Sequence, residues 1–210
     1  MPMREDARTP RPRREAVSRK IALEFSGAPF PAHAEASFEV FDGTVSGPGS
    51  TIEVAAGRRG TWRVEFVPDA DLPVGAQVAF ALVEHDFKMA TIFQDYWPDA
   101  RDYVTVEDGE GRPLPYLSET ALKGQVPAVV TLPRPFTPSD RIVLRIGDRR
   151  FGGAGTTSAT ICHPGVHLRA GVKLPGDVAF RPAPDAAIVL RIVPRPEVRR
   201  YHVFAPSTVG

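Results

Sequence analysis

The chain has 210 residues, 42% of them hydrophobic, with Lys+Arg 26 against Asp+Glu 25. That length suits one large or two small domains, and the apolar content is enough for a real core. A formal charge of +1 excludes a global field that would recruit nucleic acid or an anionic membrane.

The basic excess is local. Arg4, Arg8, Arg11, Arg13, Arg14, Arg19 and Lys20 crowd residues 1–20 together with Pro2, Pro10 and Pro12. So little apolar material cannot offset the entropy of ordering, and a disordered basic tail is expected there. Residues 21–210 then form one domain. Cys162 is the sole cysteine, so no internal disulfide is expected. Residues 1–20 also lack the apolar core of a secretory signal, and no stretch approaches the roughly 20 apolar residues of a membrane span. The expectation is a cytoplasmic chain with no membrane partner.

In chain order, residues 21–25 (IALEF) and 35–41 (EASFEVF) read as the first strands, and 43–50 (GTVSGPGS) as a turn-rich loop. A short strand at 51–55 follows. Residues 60–67 (GTWRVEFV) set Trp62, Val64 and Phe66 against Thr61, Arg63 and Glu65, the period-2 alternation of a half-buried strand. Residues 76–83 (AQVAFALV) are apolar at nearly every position, as in a central strand. Residues 84–101 (EHDFKMATIFQDYWPDAR) break the rhythm, and a loop of this length is usually functional, self-packed or partly helical.

Strands resume at 102–107 and 127–132, while 133–138 (PRPFTP) is too proline-rich for a sheet interior. Residues 140–156 (DRIVLRIGDRRFGGAGT) hold the sharpest pattern. Ile142, Leu144 and Ile146 face one way, Arg141, Val143 and Arg145 the other, and a charged turn and glycine-rich loop follow. Further strands are expected at 158–162, 167–174, 188–193 and 200–204. Many short strands at regular spacing, with 22 prolines in turns and at edges, predict an all-β fold. The expected architecture is an antiparallel β-sandwich, immunoglobulin-like or jelly-roll-like.

His163 and His167, next to Cys162, have the residue types of a metal cluster. Pro164 and Gly165 imply a turn between them, and a zinc site needs three or four converging ligands. No metal and no cofactor are expected. His85 and Asp86 form a histidine–carboxylate pair of the general-base kind, with no activated Ser or Cys for acyl transfer. Together with His163 or His167 they make the candidate set for lyase- or isomerase-type acid–base chemistry on a polar small molecule. Phe93, Tyr96 and Trp97 suit loop packing, a protein interface or a platform for a sugar ring. Residues 152–157 (GGAGTT) lack the GK[ST] ending and the following helix of a phosphate loop. Arg149 and Arg150 just before them suit bidentate pairing with a carboxylate of a partner.

The ordered motifs GTWRVEF, LPVGAQVAFAL, ARDYVTVE and IVLRIGDRRFGGAGT carry a family resemblance. Over residues 35–194 the chain resembles the N-terminal β-rich region of a bacterial family labelled domain of unknown function 3604. In that family the region precedes a PHP-like metallohydrolase domain, whose metal ligands follow a motif like GDLHGQ. No such segment occurs in these residues, so the resemblance carries no metal ligand onto any position. It implies an accessory sandwich whose neighbour is a hydrolase-like chain. The expected function is a non-catalytic module that binds a partner protein or a second copy of itself through Phe93, Tyr96, Trp97, Arg149 and Arg150. A small enzyme or a carbohydrate-binding module is the alternative.

Overall fold

The computed structural model describes residues 23–40, 45–46, 50–82, 93–118, 127–160 and 162–195. The expected basic tail (1–20) and the expected strand at 200–204 lie outside them. No helix occurs among the described residues.

Among the described residues, twelve strands form two sheets. They are β1 (Ala32–Val40), β2 (Val45–Ser46), β3 (Thr51–Ala55), β4 (Arg59–Pro68), β5 (Gln77–Leu82) and β6 (Val104–Asp108). The rest are β7 (Tyr116–Leu117), β8 (Ala128–Thr131), β9 (Ile142–Ile146), β10 (Thr156–Thr157), β11 (His163–Lys173) and β12 (Arg181–Val193). Sheet one runs β2-β1-β4-β9-β6, with β10 also on β4, and sheet two runs β3-β12-β11-β5-β8-β7.

Sequence alternation becomes sheet orientation. Trp62, Val64 and Phe66 of β4 pair in register with Ile146, Leu144 and Ile142 of β9, and all six are buried on the inner face. Arg63, Glu65 and Arg145 point out. The inner faces meet in one apolar cluster, in which Phe66 of sheet one lies edge-on to Phe80 of sheet two at 6.2 Å. Phe38 packs on Trp62 at 4.3 Å. Each such ring contributes about 1.5–3 kcal/mol through the apolar surface it removes from water.

β5 is apolar on both faces because both are covered. Its outer-face Ala79 packs with Val129 and Phe180 under Leu23 and Phe25, a segment tied across the sheet by the Ser26 amide to the Phe180 carbonyl. Tyr116 at the other margin donates its hydroxyl to the Val104 carbonyl and links the two sheets.

Three local expectations are corrected. β3 runs parallel to β12, the one parallel pair of strands among the described residues. The described residues of the strand expected at 158–162, namely 158–160 and 162, are not in a strand. Thr156 and Thr157 pair with β4 instead, and Ser158 caps the turn, its hydroxyl donating to the Ala55 carbonyl and accepting from the Arg58 amide. Pro164 and Gly165 do not end a strand. They form an irregularity inside β11, where the register with β12 shifts between His163 and Val166. The missing amide hydrogen of proline makes such a bulge the place it fits.

Candidate functional site

Two loops at one end of sheet one bear on each other, and they include most of the residues singled out above. The first leaves β9 at Gly147. Its φ of 74° is left-handed, and a Cβ there would lie 2.2 Å from the Thr156 amide nitrogen, so only glycine fits. The loop returns at residue 155 to lay β10 beside β4. A turn with these demands accounts for the glycines without any ligand.

Asp148 organises the turn. Its carboxylate accepts from the Arg150 amide at 3.0 Å, from Arg150 Nε at 3.0 Å and Nη2 at 2.6 Å, and from the Thr105 hydroxyl at 2.6 Å. Burial alone would raise its pKa, but these donors together hold it below the usual carboxylate value. Glu107 accepts from Arg150 Nη1 at 3.0 Å and from Arg145 Nη2 at 2.9 Å. The hydrogen bond to Asp148 leads in raising the Arg150 pKa, so the guanidinium stays charged throughout. Arg149 turns the other way and donates to the Glu39 and Val40 carbonyls.

Neither arginine therefore presents the free guanidinium fork expected for a partner's carboxylate. A shallow concavity of about 260 Å³ lies over this network, lined by Glu39, Thr61, Arg145, Asp148, Arg149 and Arg150. Its charges are matched within the fold: Arg145 also lies 3.8 Å from Glu39, and the Thr61 hydroxyl donates to the Gly147 carbonyl. Among the described residues, no histidine or cysteine lines it.

The second loop, residues 93–103, precedes β6. Phe93 is 1% exposed and part of the core, which corrects its assignment as a binding anchor: the ring closes the sandwich beneath the loop. Gln94 holds the loop above it. Its Oε1 accepts from the Tyr96 and Trp97 amides at 3.0 and 2.8 Å. Its Nε2 donates to the Trp97 and Arg101 carbonyls at 2.9 and 3.0 Å. Tyr96 and Trp97 remain 58% and 63% exposed.

The loops abut at Gly153, where a Cβ would lie 2.8 Å from the Ala100 carbonyl oxygen and 3.2 Å from that of Pro98. Beside that junction Phe151 is half exposed, edge-on to Tyr103 at 5.6 Å and 5.9 Å from the Arg150 guanidinium. Three exposed aromatic rings are thus carried on two loops braced against each other.

The remaining candidates are not gathered here. His163 and His167 lie on β11 of sheet two, and His163 Nδ1 accepts from the Gly165 amide at 3.1 Å. His85 and Asp86 lie outside the described residues. Cys162 is exposed, and among the described residues no group of three or more His, Cys, Asp or Glu is placed to hold a metal.

Sequence reasoning did not single out Gln94 or Phe151, and it noted Asp102 only as one of the acids near His85 and Asp86. The only local sign of Gln94's role is an amide side chain just ahead of two aromatics in a loop. Such side chains fold back on nearby backbone where no ladder satisfies it.

No family model and no curated protein matches the chain. Among solved structures it is similar to the protein described under "AvmM Catalyzes Macrocyclization in Alchivemycin A Biosynthesis", at 10% identity, covering 83% of this chain and 97% of that chain. The TM-score is 0.39, a likeness too loose to bear on what the two-loop edge does.

Proposed function

We propose that the chain is a non-catalytic β-sandwich module that binds a partner protein through its two-loop edge. Its partner is a metallohydrolase-like chain, as the sequence resemblance implies. The observation that carries this reading is that Tyr96 and Trp97 are exposed on a loop whose backbone is pinned by the four hydrogen bonds of Gln94.

A loop whose backbone is already fixed loses little conformational entropy on binding, and each exposed aromatic offers a large amphipathic contact area. Residues of this kind dominate the energy of protein interfaces. Phe151 extends the apolar part, while Asp95, Asp99 and Arg101 supply a charged rim. The Glu107, Arg145, Asp148 and Arg150 side chains beneath are paired with one another, an arrangement that suits a scaffold better than a reaction centre. Acid–base catalysis by His85, Asp86 and His163 or His167 draws no support from the described residues, which include His163 and His167 but neither His85 nor Asp86.

The test is light scattering after size exclusion on the full chain, alone and mixed with the product of the adjacent gene. A complex should form with wild type and weaken with Trp97→Ala and Tyr96→Ala. Trp62 is already buried, so a blue shift of tryptophan emission on mixing reports Trp97. An unchanged mass with unshifted emission overturns the proposal.

A further inference from the structure

The two loops meet at Asp102, the one non-glycine residue with positive φ among the described residues, at 62°. An aspartate there sits in the left-handed region at a cost of about 1 kcal/mol, and asparagine tolerates it at least as well. Its backbone ties three segments together. The Asp102 amide donates to the Gly155 carbonyl at 3.2 Å, and its carbonyl accepts from the Gln94 amide at 3.2 Å. Gln94 in turn accepts from the Val104 amide at 2.8 Å.

The side chain is equally unusual. It is 7% exposed, and its Oδ1 accepts no hydrogen bond. The fully buried Thr156 hydroxyl lies against the same carboxyl without a well-aligned partner of its own.

We propose that Asp102 is a proton-operated latch: neutral, its carboxyl holds the two loops of the recognition edge together, and ionised, it loosens them. The consequence for binding rests on the reading of that edge given above; the latch itself does not.

Burial raises the Asp102 pKa, opposed by the Thr156 hydroxyl and by the Arg101 charge. Other charged groups on the surrounding elements are engaged or distant from this role. On the glycine loop Asp148 pairs with Arg150, and Arg149 reaches the Glu39 and Val40 carbonyls. Asp95 and Asp99 are the other charges of its own loop, and β4 brings the exposed Arg59 beside β10.

The sign follows from the direction. A carboxyl whose pKa is raised on folding stabilises the folded loops fully below 3.8, and that contribution fades as pH climbs through the raised value. Ionisation would leave a buried charge whose Oδ1 has no hydrogen-bond donor. Binding at the edge is therefore tighter on the acid side.

The experiment is amide hydrogen exchange on the full chain without partner, between about pH 4.5 and about pH 7.5, corrected for intrinsic rates. The Asp102, Gln94 and Val104 amides should lose protection as pH rises, by about tenfold for each unit by which burial lifts the carboxyl. Asp102→Asn, always neutral, should keep acid-like protection across the range. Thr156→Val removes the hydroxyl that lowers the pKa and should move the transition to higher pH, which keeps the test valid if the asparagine variant folds poorly. Identical pH profiles in wild type and Asp102→Asn, or an unmoved transition in Thr156→Val, overturn the latch. A latch that works in a chain that binds no partner would instead sink the recognition reading alone.

Discussion

Replacing Arg150 by alanine tests whether that guanidinium serves the fold or a partner. Asp148 is 1% exposed and takes two guanidinium contacts from Arg150, and Glu107 takes a third. Truncation leaves Asp148 with the Thr105 hydroxyl and one backbone amide. Breaking a fully buried ion pair costs about 3–5 kcal/mol, and a lost charge-assisted hydrogen bond about 1.5–3 kcal/mol. The Arg150 side chain is 47% exposed, so water screens part of this and can replace some donors.

We therefore expect Arg150→Ala to cost about 2–3 kcal/mol in urea unfolding, read as a lower midpoint at constant slope. A double-mutant cycle with Asp148→Asn should show the two sites coupled. The pH dependence gives an independent check. With its pKa lowered, Asp148 stabilises the wild type above 3.8 and withdraws that stability as pH falls through the lowered value. In Arg150→Ala burial is less opposed, so the stability lost on acidifying below 3.8 should be smaller than in the wild type. A cost below about 0.5 kcal/mol, typical of an ordinary surface substitution, would refute the network and return Arg150 to the list of partner contacts.

Phe93→Ala and Trp97→Ala should separate core from surface. The first opens a cavity and costs about 3–5 kcal/mol by thermal or urea unfolding, while the second stays within about 0.5 kcal/mol and acts on binding alone. Gln94→Ala removes four side-chain hydrogen bonds and should raise exchange at the Tyr96 and Trp97 amides, with a stability loss of about 1–2 kcal/mol because water replaces part of them. Gly147→Ala combines left-handed backbone with a 2.2 Å clash against the Thr156 amide nitrogen. It should cost at least about 2 kcal/mol, and a milder result would mean the glycine loop can relax away from β4.

Much of the fold was legible because strands write their burial into a period of two. Gly60 to Val67 and Arg141 to Ile146 could be assigned an inner and an outer face residue by residue, and the structure places both inner sets in the core. Irregular places were less legible. Pro164–Gly165 carries the composition of a turn, yet pairing with β12 on either side turns it into a bulge. Thr156 and Thr157 are too short a run to read as a strand, and they become one because β9 leaves the edge of β4 free beyond Ile146.

The candidate site divides along the same line. Tyr96 and Trp97 stood out as aromatics in a long loop, but nothing local distinguishes them from Phe93, which lies in the core. Arg149 and Arg150 are chemically identical neighbours, yet one reaches the carbonyls of β1 and the other a carboxylate pair on the opposite side. Asp102 reads as an ordinary loop acid until its φ and its burial are known.

What the sequence settled by itself is the class of fold, since alternation, proline placement and the absence of helical periodicity are local properties of the backbone. The meeting of the 93–103 and 147–157 loops, the choice of which aromatics stay in water, and the pairing of each charge depend on contacts between residues about 50 positions apart, as with Arg101 and Thr157. Those contacts exist only once the sheets have closed, because a side chain's partner is set by where the chain returns and not by its neighbours in sequence.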